Sequence, residues 1–124
     1  MGFKGASYTS TGSNIEGYTF VAPVTDETDP QYINYENAII RCLLIPDSDA
    51  SNITLAPDNG VEVLVNTATQ QQVNFEITEA NKVALLGSSS DIKVDFRITI
   101  QPVSGSQITG EDGSEYVDSF RLRI

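Results

Sequence analysis

Histidine and tryptophan are absent from this chain of 124 residues, cysteine occurs once, and basic side chains are scarce. Without histidine the commonest general base and metal ligand is missing, and one thiol does not complete a Ser/His, Cys/His or zinc-type arrangement. The single Cys42 rules out an internal disulfide and sits in the apolar run from Ile39 to Ile45, where it is expected to act as a small buried hydrophobe. The missing tryptophan removes the usual aromatic platform of glycosidases and sugar-binding faces, leaving Tyr8, Tyr18, Tyr32, Tyr35 and Tyr116 for any weak sugar contact. Seven basic residues against seventeen acidic ones give a net charge of -10. Such a charge repels phosphate backbones and anionic lipid, so neither nucleic acid nor a membrane surface is an expected partner. No apolar run approaches the roughly 18 residues of a membrane span, and the N-terminus lacks the basic and apolar segments of a signal peptide. No catalytic residue and no cofactor are expected, and the chain is read as non-enzymatic.

What is present is led by the stretch from Asp91 to Ile100. Ile92, Val94, Phe96, Ile98 and Ile100 alternate with Lys93, Asp95, Arg97 and Thr99, and that period of two makes one apolar face on a strand but none on a helix. A half-buried strand demands a second layer over its apolar side. The length suits one domain that buries roughly two thirds of its unfolded surface.

Taken from the N-terminus, residues 2–17 combine Gly2, Gly5, Gly12 and Gly17 with several Ser and Thr, and offer little to bury beyond Phe3, Tyr8 and Ile15. They are expected to form an extended N-terminal arm, with those three side chains as anchors on a neighbouring subunit. Residues 18–124 form the domain proper. Strands are expected at Tyr18 to Val24, Ala38 to Ile45, Val61 to Asn66 and Gln72 to Ile77, with a short edge element from Ile53 to Leu55 before the Asn59-Gly60 turn. The spacing predicts one helix, Thr78 to Leu86, with Thr78 as N-cap and Gly87 ending it, and with Val83, Leu85 and Leu86 plugging one end of the sandwich. A polar excursion from Pro102 to Ser114 leads to a last strand in which Tyr116, Phe120, Leu122 and Ile124 alternate. The class is therefore all-β, an antiparallel β-sandwich of immunoglobulin-like or jelly-roll type, with one short helix and an N-terminal arm.

Three constellations carry possible chemistry. Asp47, Asp49, Ser51 and Asp58 fall at the first, third, fifth and twelfth positions of a calcium-binding EF-hand loop. Asn52 replaces the turn glycine, the last ligand is not glutamate, Pro57 intrudes and no helices flank the loop, so an acidic surface turn is the favoured reading. The group Asp26, Glu27 and Asp29 is less specific still. Asp95 with Arg97, Arg121 and Arg123 is expected to form a cross-strand charge lattice that stabilises the sheet.

The segments Phe75-Glu76-Ile77-Thr78, Leu85-Leu86-Gly87, Asp91 to Ile100 and Phe120-Arg121-Leu122 resemble β-sandwich domains of tailed-bacteriophage virion proteins, among them capsid cement or decoration proteins and neck or baseplate modules. That resemblance implies a structural protein of the virion, assembled in the host cytoplasm. Its partners would be other virion proteins, such as the major capsid protein or neck and tail proteins, and it would be a homo-oligomer. A surface adhesion or carbohydrate-binding module, such as a pilus-like subunit, is the alternative.

Overall fold

Alternation in the stretch from Asp91 to Gln101 has the expected result. It forms the longest strand, and Ile92, Val94, Phe96, Ile98 and Ile100 are all buried on one face. The computed structural model describes residues 4–11, 14–22, 24–105, 108–109 and 118–123. In chain order the elements are β1 (Lys4–Thr11), β2 (Asn14–Val21), β3 (Ile39–Pro46), β4 (Ile53–Leu55), β5 (Val61–Asn66), β6 (Gln70–Phe75), α1 (Glu79–Leu86), β7 (Asp91–Gln101), β8 (Ile108–Thr109) and β9 (Asp118–Arg123).

They form two antiparallel sheets, one in the order β1-β2-β6-β5 and the other running β4-β3-β7, with both β8 and β9 on the far side of β7. The fold is thus an all-β sandwich with one short helix. In the second sheet, Ile40, Cys42 and Leu44 of β3 stand opposite Ile100, Ile98 and Phe96 of β7, so the apolar faces of both strands coincide. On the other side of β7, Leu122 and Phe120 of β9 stand opposite Ile92 and Val94. Facing them, the first sheet contributes Ile15, Tyr18, Val73, Phe75 and Val61 to the same buried cluster. Tyr18 meets Phe96 edge-on across the two layers, with ring centroids 6.4 Å apart and planes at 82°.

The helix closes one end as its sequence predicts. Thr78 Oγ1 accepts the Asn81 N–H at 3.2 Å, and Gly87, at φ 60° and ψ -122°, donates its N–H to Val83 O at 3.1 Å. Leu85 and Leu86 are buried. Val83 is not part of the plug: it stays 59% exposed, because a two-turn helix packs only one stripe inward. Ser48 Oγ donates to the Leu85 carbonyl at 2.8 Å, tying the β3–β4 loop to the end of the helix.

The division at residue 17 is corrected by the pairing. β1 and β2 form a hairpin inside the first sheet, and Gly17, expected at the end of an arm, lies within β2. Its φ of +66° marks a register shift in the β2–β6 ladder between Ile15 and Tyr18. A glycine there permits the irregularity that a Cβ would strain. Glycine and hydroxyl content concealed the hairpin because β-structure on a half-exposed sheet tolerates Ser and Thr when its inward positions carry residues such as Ile15 and Tyr18.

The connection between β2 and β3 is held by a buried amide. Gln71, otherwise out of place in a core, donates through Nε2 to Tyr35 O at 2.7 Å and to Asn66 Oδ1 at 2.6 Å. Asn66 in turn accepts the Asn37 N–H at 2.8 Å and donates to Asn37 Oδ1 at 2.9 Å. This network satisfies the Tyr35 carbonyl and the Asn37 N–H where the loop crosses from one sheet to the other.

Candidate binding surface

The sites named from sequence are dispersed by the fold. Ile15, expected to anchor a partner, is 1% exposed and opposite Phe75 in the core; it faces inward from β2 and is not available to another chain. Tyr8 belongs to β1, and Phe3 lies outside the described residues. Tyr18 and Tyr35 are buried, and burial pushes the Tyr35 hydroxyl up to about 12. Cys42 is buried as expected, and desolvation raises its thiol far above the ordinary value.

The acidic loops are used for turns. Asp47 Oδ1 accepts the Lys93 N–H at 3.2 Å, which joins the end of β3 to β7, while Asp58 stands in the β4–β5 turn. Asp49 and Ser51 lie in the β3–β4 loop between those points. Among the described residues no three Asp, Glu, Cys or His side chains converge as metal ligands. Asp26 accepts from both the backbone and the hydroxyl of Thr28, and these bonds hold its carboxyl below the usual range.

The charge lattice exists with a different centre. The register sets Lys93 directly opposite Arg121, a like-charge pair that each side chain relieves through a neighbouring carboxylate. Arg121 reaches Asp91 with Nε 3.1 Å from Oδ1 and Nη2 3.1 Å from Oδ2, Arg123 Nε lies 3.5 Å from Asp91 Oδ2, and Lys93 Nζ lies 3.7 Å from Asp95 Oδ1. The Arg121 hydrogen bond is the main reason that the Asp91 carboxyl is held below the carboxylate range.

What sequence reasoning missed is the outer edge of the first sheet. β5 pairs with β6 on one side and closes the sheet on the other. Its ladder shifts register between Val63 and Val65, so Leu64 is an extra residue at a bulge. Val63 and Leu64 are consequently 44% and 47% exposed. The signal was present in the sequence as three consecutive apolar residues, Val63, Leu64 and Val65, which break the alternation of a half-buried strand.

Over the face of the sheet, on the β6 side of β5, is an open cleft of about 310 Å³ whose lining includes Glu16 of β2, Glu62 of β5, Asn74 of β6 and the following Glu76. Asn74 organises it. Its Oδ1 accepts the Gly17 N–H at 2.8 Å, and its Nδ2 donates to Glu62 Oε1 at 3.2 Å. Among the described residues, Glu16, Glu62 and Glu76 have no Lys or Arg as ion-pair partner. Among the described residues, β5 and the neighbouring face therefore bring together a strand edge without a partner, exposed apolar side chains and carboxylates without an ion pair. Among the described residues no helix is long and apolar enough to cross a membrane. Compared with known proteins, the chain matches no family model, no curated protein and no solved structure.

Proposed function

We propose that this chain is a non-enzymatic structural protein of a virion, one that cements or decorates the capsid and attaches through the open edge of its first sheet. The observation that carries this reading is β5, a six-residue strand that among the described residues is paired on one side only, with its Val63 and Leu64 exposed. Natural edge strands are commonly blunted by Lys, Pro or very short length. β5 has no Lys, Arg or Pro; its protection is limited to its bulge and the charge of Glu62.

This attachment surface replaces the N-terminal arm as the proposed contact, because Ile15 belongs to the core. Association as a homo-oligomer and contact with the major capsid protein or with neck and tail proteins are parts of the same proposal. The adhesion and sugar-binding alternative has less support, since Tyr18 and Tyr35 are buried and do not form an exposed platform.

The test uses particles released from cells that encode the chain, purified by density gradient, probed by mass spectrometry and labelled with antibody-conjugated gold. The expected result is many copies per particle with label on the outer surface. Particles that are assembled and complete without the chain, with the protein remaining free in the lysate, would refute the reading.

A further inference from the structure

The two halves of the β5 surface specify the chemistry of what binds there. A strand edge offers backbone N–H and C=O groups in a row, and an extended segment satisfies them by adding a strand. The exposed Val63 and Leu64 favour apolar residues on that segment. The adjoining cleft selects charge. Glu62 lies on β5 itself, and Glu16 and Glu76 line the same cleft.

We propose that the open edge of β5 binds an extended segment of a partner protein in which a Lys or Arg stands beside apolar residues, the cation pairing with Glu62 of β5 at the near side of the cleft that Glu16 and Glu76 also line. This rests on the reading of the chain as a non-enzymatic assembly module, and it names the partner chemistry which that reading leaves open. A second copy of the chain is the disfavoured occupant, because it would bring another net charge of -10 to the acidic edge. The Asn74 amide holds Glu62 Oε1 at 3.2 Å over the β6 side of the strand, so the cation must reach across β5 to meet it. Other strand edges are less suited. β4 has three residues and leads into the Pro57 turn, and β1 has Lys4 at its start and only Ser, Thr, Ala, Gly and Tyr after it.

The test is a nuclear magnetic resonance titration of the full chain with three synthetic peptides of alternating valine and threonine. One ends in lysine, one ends in glutamate, and one is the lysine peptide with N-methylated backbone amides. The lysine peptide is expected to shift the amide signals of residues 61–66 and slow their hydrogen exchange. The glutamate peptide should bind about tenfold more weakly, and the N-methylated one should not add as a strand.

Replacing Glu16, Glu62 and Glu76 together by Gln should remove the preference for lysine while leaving the spectrum folded. Leu64→Lys, at an exposed bulge position, should weaken the lysine peptide and preserve the fold. Equal affinity for the two charged peptides would overturn the proposal, as would shifts confined to other strands. Protection of residues 61–66 that rises with protein concentration in the absence of peptide would also overturn it, in favour of self-pairing. The outcome is separable from that of the particle test. Peptide binding at β5 by a chain absent from particles would uphold this proposal and refute the virion reading, and the reverse combination would do the opposite.

Discussion

Replacing the rings of Tyr18 and Phe96 by leucine, singly and together, measures directly whether the two sheets are locked by an aromatic contact. The rings belong to β2 and β7, and they meet edge-on with centroids 6.4 Å apart. Each also has a partner within its own sheet: Tyr18 with Phe75 at 5.9 Å and Phe96 with Phe120 at 6.1 Å. Both residues are fully buried. Truncation to alanine would cost about 3–5 kcal/mol at each site, and two such losses would remove a large part or all of the roughly 5–15 kcal/mol that holds a domain of this size together. Leucine keeps most of the volume, so each single change is expected to cost about 1.5–2 kcal/mol.

The inter-sheet contact itself accounts for about 0.5–1.5 kcal/mol of that loss. The double variant should therefore be less destabilised than the sum of the single variants by this amount. Urea unfolding followed by circular dichroism is suited to the measurement, because a loss of about 1.5 kcal/mol moves the midpoint by roughly 1 M at ordinary m-values. Losses that add within about 0.3 kcal/mol would show that the rings act independently, and would refute the claim that this pair couples the layers.

Three further perturbations test other parts of the fold. Gly60→Ala should destabilise by about 2 kcal/mol or more in thermal or urea unfolding, since its φ is +94° and a Cβ would fall 2.6 Å from the Glu76 carbonyl oxygen. Asp91→Asn should make stability less dependent on pH in acid: the folded-state pKa lies below the ordinary 3.8, so the stabilisation from Arg121 is present above that value and fades as pH falls through the lower folded value; an unchanged acid profile in urea titrations would contradict this. Deleting residues 2–17 should yield a chain without cooperative unfolding, because it removes β1 and the start of β2 with the buried Ile15; a folded monomer would restore the picture of a dispensable arm.

The central strand and its helix were open to sequence reasoning for local reasons. Alternation from Ile92 to Ile100 forces one face inward whatever lies opposite, and Thr78 and Gly87 cap the helix by bonds to residues within its own turns. The same holds for Cys42, whose apolar neighbours Ile40 and Leu44 already imply burial. β5 was legible as a strand for its composition, but nothing within Val61–Asn66 states whether a neighbour covers it.

Tertiary structure decided the rest, because the deciding partners are distant in the chain. Ile15 passed for an anchor until pairing with Phe75, sixty residues away in sequence, placed it in the core. Asp91 took the position expected for Asp95 because the β7–β9 register sets Arg123 directly opposite it and Arg121 two residue pairs along, on the same face. Glu16, Glu62 and Glu76 come from three separate stretches and line one cleft only through the order β2-β6-β5. Sequence by itself determined the all-β class, the inward face of β7 and the two ends of the helix, since these follow from period and caps. Which edge stays open, and which charges gather beside it, follows from long-range pairing, which no local pattern encodes.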